Sequence, residues 1–246
     1  MSGILISGGP LVLQTRVGSL TLTECTLDPA AAPAGSLLGQ DANLASNSVW
    51  LLSRCIAGGL MAGAGTTQIT VTDSIVDRRS GAAIAGLAHP TSPPDASVSG
   101  AARTVQLERV TVFGQIWCEV LKASESLLDQ IAVVDDQQSG CVRFTRFERG
   151  SVLPRRYQCI PNDAQAQACG GFVRCLAPLF NSRTFGRPDY AQLAPNCPGE
   201  IMTAAENGSE VGAFAGRQNT IRRLNLSAKL QEFLPVGLTT VVVAES

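Results

Sequence analysis

The chain has 246 residues, room for one large domain or two small ones. Charged residues make up 16%, aromatics 5%, and the formal net charge is −1, so no strong field marks a nucleic-acid or membrane-surface partner. Low charge with 24 glycines suits a solenoid or an assembly subunit whose surface is partly covered, more than a freely diffusing monomer.

The N-terminal residues Met1–Ser7 carry no basic leader and run into Gly8-Gly9-Pro10, which does not read as a signal peptide. No apolar run reaches the ~18 residues of a membrane span. The expected location is the cytoplasm until assembly, with the finished particle extracellular or membrane-associated. Ile4-Leu5-Ile6, Leu11-Val12-Leu13 and Leu20-Thr21-Leu22 read as strands separated by turn residues, with no polar helix in front of them. An uncovered strand edge invites association, so this end is expected to pack on another chain or to continue from a longer one.

A short phrase then recurs: an apolar residue, two mostly polar residues, a small or thiol residue, and more apolar ones. It reads Leu22-Thr23-Glu24-Cys25-Thr26-Leu27, Leu52-Ser53-Arg54-Cys55-Ile56-Ala57 and Val71-Thr72-Asp73-Ser74-Ile75-Val76. It returns at Leu107-Glu108-Arg109-Val110-Thr111-Val112 and Ala123-Ser124-Glu125-Ser126-Leu127-Leu128. Each copy is too short for a helix and rich in β-branched and apolar residues, hence a strand. Recurrence at long intervals points to a solenoid whose units bury their apolar faces only by stacking. The two shorter intervals fit single coils. The two longer ones fit coils with inserted loops, or pairs of coils of which one is poorly marked. The fold class is therefore all-β: a right-handed parallel β-helix over 1–150, with Cys25, Cys55, Ser74 and Ser126 stacked at one inward corner. The competing architecture is a β-sandwich with chance similarity among Thr-rich strands.

Loops are expected at 28–48 and 80–100, and dense coils from Arg103 to Phe147. Residues 151–246 form an irregular C-terminal region. Ile221, Leu224, Leu230, Phe233 and Leu234 fall near helical spacing, predicting a helix over about 220–234 that caps the stack. A final strand is expected over 238–244.

Eight cysteines stand at 25, 55, 118, 141, 159, 169, 175 and 197, without a CxxC pair, and His89 is the single histidine. That composition does not make the usual tetrahedral zinc site. Reduced thiols are expected, with Cys159, Cys169, Cys175 and Cys197 able to pair in an oxidising compartment. No metal or cofactor is expected.

Paired carboxylates can bind cations or act as acid and base, so Asp73, Asp77, Asp129, Asp135 and Asp136 are the acidic candidates. Asp135-Asp136 precedes Gln-Gln-Ser-Gly and reads as a turn. Arg143, Arg146, Arg149, Arg155 and Arg156 alternate with Phe144, Phe147 and Tyr157, a pattern that nucleic acid or an anionic glycan could use. The near-neutral total charge favours a strand edge docked on the irregular region instead. The expected contact surface is Asp135, Asp136, Arg143, Arg146 and Arg149. No catalytic residue is expected. Glu206-Asn207-Gly208-Ser209-Glu210, followed by Ala213-Phe214, reads as a tight buried connection.

The wording of four stretches is similar to a known family. These are Asp135–Phe144, Ser151–Tyr157, Tyr190–Leu193 and Glu206–Phe214. Together they resemble the C-terminal β-helix region of a family of large bacterial proteins associated with phage-tail-like and contractile-injection-system particles. The resemblance implies a structural or attachment subunit rather than an enzyme, with other subunits of a large assembly as partners. A surface glycan is a further candidate partner; nucleic acid is not. This chain departs from the family in lacking a long N-terminal portion. The alternatives are a carbohydrate-active β-helix protein that binds or cleaves a polysaccharide along one face, and a trimeric adhesin or fibre tip.

Overall fold

A computed structural model describes residues 1–14, 17–30, 35–40, 47–86, 102–168 and 176–234. The strands fall into successive turns of a coil. The first turn holds β1 (Leu5–Ile6), β2 (Leu11–Leu13) and β3 (Ser19–Thr23), and the second β4 (Thr26–Leu27), β5 (Leu37–Gly39) and β6 (Ser48–Ser53). The third holds β7 (Ile56–Ala57), β8 (Leu60–Ala62) and β9 (Thr66–Thr72). The fourth has β10 (Ile75–Gly86) and β11 (Ala102–Glu108). β12 (Thr111–Ser124) bends through a whole turn. β13 (Leu127–Leu128), β14 (Ala132–Val134) and β15 (Gly140–Arg143) make the sixth, and β16 (Arg156–Tyr157) ends the seventh.

Every pairing between these strands is parallel, and each strand pairs with its counterpart one turn on. The result is a curled parallel sheet with three walls, a β-helix-like architecture. The first wall stacks β1, β4, β7, the start of β10, the start of β12 and β13. The second stacks β2, β5, β8, the end of β10, the middle of β12 and β14. The third stacks β3, β6, β9, β11, the end of β12, β15 and β16. A sandwich would need antiparallel neighbours. Among the described residues the only antiparallel bridge is Phe180–Leu193, outside the coils.

Alternation along the third wall turns Leu20, Trp50, Ile69, Val105 and Leu121 inward, and Leu22, Leu52, Val71, Leu107, Ala123 and Val142 beside them. These rows make one continuous apolar interior with Val76, Val112 and Leu128 of the first wall and Leu37, Leu60, Ile84 and Ile116 of the second. Each buried aliphatic side chain contributes roughly 1.5–3 kcal/mol relative to exposure.

The corner between the third and first walls explains the recurring phrase. Its third residue (Glu24, Arg54, Asp73, Arg109, Glu125) has φ between 47° and 55°, a left-handed turn that swings the chain from one wall to the next. Phe144 and Gln158 repeat that turn at φ 47° and 50°. The following residue points inward and caps the neighbouring rung. The Cys25 N–H donates to Cys55 Sγ (3.4 Å), Cys55 N–H to Ser74 Oγ (2.9 Å), Val110 N–H to Ser126 Oγ (3.2 Å) and Ser126 N–H to Thr145 Oγ1 (3.4 Å). Each of these hydroxyls and thiols also donates to the carbonyl two residues back: Thr23, Ser53, Thr72, Ser124 and Arg143. At these corners the small polar side chain supplies an acceptor for a buried amide; Val110 is the exception.

Several boundaries differ from the sequence reading. Both long intervals are single coils, since β3 pairs directly with β6 and β9 with β11. The 28–48 segment contains β5, and the first residues of 80–100 continue β10 to Gly86, hidden in the sequence by Gly81-Ala82-Ala83; 87–101 lies outside the described residues. Coiling passes 150 and ends near Cys159, where Arg156 takes the inward register of Val142 and lies over the Phe147 ring at 5.4 Å. A charged head in that register suits the last rung, because its stem covers apolar surface while its tip reaches water.

Beyond the coils, the α-helices among the described residues are α1 (Asp163–Ala168), α2 (Gly199–Met202) and α3 (Asn219–Phe233). Residues 176–217 do not close the end of the stack. They lie along the outside of the first wall, where Ile75, Phe113 and Leu127 pack on Phe180, Tyr190, Ala191, Ile201 and Val211. The backbones come close at Gly212 (φ +102°), where an added Cβ would meet Thr111 Oγ1 at 2.5 Å. There the Ala213 N–H donates to Thr111 Oγ1 (3.0 Å), and the Gly212 N–H to the Glu125 carbonyl (2.8 Å). The predicted helix is present as α3, but it springs from this flank. Glu210 is buried and accepts the Asn219 and Thr220 N–H groups (both 3.2 Å), satisfying first-turn donors with the charge the helix dipole favours. The predicted final strand lies outside the described residues.

Candidate functional site

The acidic candidates scatter. Asp73 sits on the left-handed corner and pairs with Arg109 (2.6 Å), whose other neighbours are Glu108 (2.5 Å) and Glu125 (3.9 Å). With Glu24–Arg54 (2.8 Å), the corner bears acid, base, acid, base, acid on successive coils. Hydrogen bonding to Asp73 raises the Arg109 pKa. Asp135 and Asp136 form the turn read from sequence. Asp136 Oδ1 accepts the Gln138 and Ser139 N–H groups at 2.9 and 3.2 Å. Bonding to Ser139, then to the Gln138 amide, holds its carboxyl below the usual carboxylate range. Desolvation, then the Glu119 charge, pushes Asp135 upward.

Asp77 and Asp129 stand in one outward column of the first wall, with Phe113 between them. All three are buried beneath the C-terminal layer. Asp77 accepts the Tyr190 hydroxyl (2.6 Å) and a bidentate contact from Arg79 (2.7 and 3.0 Å). Asp129 takes a bidentate contact from Arg183 (2.9 and 3.1 Å). Both guanidiniums also lie over the Phe113 ring, at 5.2 and 5.4 Å. Burial, then the Asp77 bond, raises the Tyr190 pKa, so this phenol stays protonated. With their oxygens committed to Arg79, Tyr190 and Arg183, these carboxylates fasten the layer to the coils.

The five residues expected as one contact surface are not brought together. Arg146 is fully buried, donating to the Leu128 and Leu176 carbonyls (2.9 and 3.2 Å) and to Glu148 (2.8 Å). It points out of the coil but into the C-terminal layer, so it belongs to the seam. Arg149 is exposed beyond it, Asp135 and Asp136 occupy the turn leading into β15, and Arg143 is exposed on the third wall.

Two outer walls remain as candidate contact surfaces. On the second wall, register places Val12, Leu38, Met61, Ala85, Trp117, Val133 and Val152 in one outward row, apolar in every coil. Met61 and Ala85 are buried, Val152 is 38% exposed, and the others are half-buried. The sequence reading missed this row. Its signal was present: Leu11-Val12-Leu13, Leu60-Met61-Ala62 and Ala132-Val133-Val134 are apolar on both parities, the mark of a strand covered on both faces. The third wall is different. Thr21, Thr70, Gln106, Lys122 and Cys141 form one outward row, broken by Leu51, and Thr23, Ser53, Thr72, Glu108, Ser124, Arg143 and Tyr157 the next. A shallow groove of about 370 Å³ crosses it, bordered by Thr70, Gln106, Glu108, Lys122, Ser124 and Arg143.

Among the described residues there is no cluster of three or more His, Cys, Asp or Glu able to hold a metal, and no helix long and apolar enough to cross a membrane. The six described cysteines are free thiols; Cys169 and Cys175 lie outside the described residues. Comparison with protein families, curated sequences and solved structures gave no match, so the functional reading rests on the two walls.

Proposed function

We propose that this chain is a structural or attachment subunit of a phage-tail-like assembly, wound as a right-handed parallel β-helix. That hand is supported by the rule that parallel strands joined within one sheet connect right-handedly in about 98% of cases. The observation that carries the assembly reading is the outward apolar row from Val12 to Val152. A sheet face turned to water alternates to polar residues, as the third wall does, whereas an apolar row on an outer wall marks an association surface. The fastened C-terminal layer stiffens the opposite wall, which suits a part that bears load. The test is native mass spectrometry of the chain purified with its neighbours, beside Trp117→Glu and Val133→Glu variants. Subunit behaviour predicts a large complex that these variants dissolve without loss of β-structure. A monomer of 25.7 kDa unchanged by either variant contradicts it.

A second reading, glycan binding, is favoured by the groove on the third wall, where hydroxyl, amide and charged side chains stand in rows at rung spacing. The two readings are compatible, because they use different walls.

A further inference from the structure

We propose that the lower third wall binds an extended acidic polysaccharide, its carboxylates held by Lys122, Arg143 and Arg155 and a sugar face resting on Tyr157. This deepens the glycan reading and depends on it. Parallel register sets the geometry. Lys122 pairs with Cys141, and Arg155 follows in the same outward row, since Val142 pairs with Arg156. Ser124, Arg143 and Tyr157 form the adjacent row. Successive rungs lie about 4.8 Å apart and outward rows about 7 Å apart, so three cations gather within roughly 10 Å.

Lys122, Arg143, Arg155 and Tyr157 are exposed, Tyr157 at 62%. Among the described residues none of the three cations forms a salt bridge. Arg143 Nε donates to Ser124 Oγ (3.1 Å), which orients the guanidinium along the wall and leaves its terminal nitrogens for a ligand. Glu108, the acid bordering the groove, is occupied by Arg109 at 2.5 Å. Phe144 meets the Tyr157 ring edge-on at a centroid distance of 5.7 Å and holds it in place.

A polyanion matches three clustered cations without acidic partners. A polysaccharide matches better than single-stranded nucleic acid, because nucleic acid needs successive aromatic platforms, and these rows offer Tyr157 alone with the hydroxyls and amide of Thr70, Thr72, Gln106 and Ser124. Rung spacing is close to the rise of one sugar unit, so consecutive carboxylates meet consecutive rungs.

The test uses the full chain in biolayer interferometry against polygalacturonate, hyaluronan, neutral dextran and a dT20 oligonucleotide, at 25 and 300 mM salt. The expected result is binding to at least one acidic glycan, weakened by salt, with none to dextran and weaker binding to the oligonucleotide. Lys122→Ser, Arg143→Ser and Arg155→Ser should each weaken it about tenfold, the triple variant a hundredfold or more, and Tyr157→Ala several-fold. These side chains are exposed, so circular dichroism of the variants should not change. Acidic-glycan binding that survives the triple variant overturns this site while sparing the glycan reading. Tighter binding to dT20 overturns the ligand class. Binding to none of the glycans overturns both.

Discussion

Val110 offers the sharpest test of the corner account. It occupies the inward corner position held by Cys25, Cys55, Ser74, Ser126 and Thr145, and it is fully buried. A valine cannot accept the N–H of the preceding rung, and among the described residues that amide, on Ser74, has no acceptor. Val110→Thr replaces a methyl with a hydroxyl of nearly equal volume. The neighbouring rung shows where the hydroxyl goes: Ser126 Oγ takes the Val110 N–H at 3.2 Å and donates to the Ser124 carbonyl at 2.8 Å. In the same pose the introduced hydroxyl would take the Ser74 N–H and donate to the Glu108 carbonyl. Burying a hydroxyl costs about 1–3 kcal/mol in mutational series. Two hydrogen bonds return roughly 1 kcal/mol each, and an unsatisfied buried donor is relieved as well. The expected change lies between zero and about 2 kcal/mol of stabilisation. Val112→Thr, one register on in the apolar interior, lacks that pair of partners and should destabilise by about 1–3 kcal/mol. Urea unfolding midpoints of the two variants decide the matter. Equal destabilisation by both would refute the ladder as the reason for Ser, Thr and Cys at this corner.

Ser126→Ala removes the acceptor of the Val110 N–H and should cost about 1–3 kcal/mol by urea unfolding. Arg183→Ala removes the bidentate partner of the buried Asp129 carboxylate; because the Arg183 side chain is itself 32% exposed, water discounts the loss to about 2–3 kcal/mol, read as faster proteolysis within 176–217. Stability should fall with alkaline pH. Burial raises the pKa of Cys55, Cys118, Cys159, Cys197 and Tyr190 in the fold. Below the ordinary thiol value of 9.0 both states hold these protons and the fold keeps its full stability; above it the unfolded chain releases them first and stability declines. Cys118→Ala should flatten part of that slope. Of the six described thiols, Cys141 is the exposed one and should react with maleimide in the native state, while the other five react only on unfolding.

The stacked corner was legible because its chemistry is local: one left-handed residue and one small acceptor, repeated. Where other residues took over those roles, the signal faded. Thr145 and Cys159 continue the corner, but Arg156 replaces the apolar residue that opens the phrase. The sequence also carried the interior rows and α3. It could not show which outer face each polar residue would meet. Arg146 reads as part of a basic surface run, yet the wall it leaves is the one that residues 176–217 cover, and a chain-distant cover leaves no local pattern. The same reason separates Arg143, still exposed, from Arg146. The outward apolar row was written in both-parity runs such as Leu60-Met61-Ala62, and became a row only when register aligned them.

The central claim is that the coils present an apolar second wall to neighbouring subunits. A cryo-EM map of the particle that contains this chain tests it most directly. The account predicts Trp117, Val133 and Val152 pressed against a neighbour, with β12, β14 and their parallel partners running continuously behind them. A map in which that wall faces solvent while contacts fall elsewhere would contradict it.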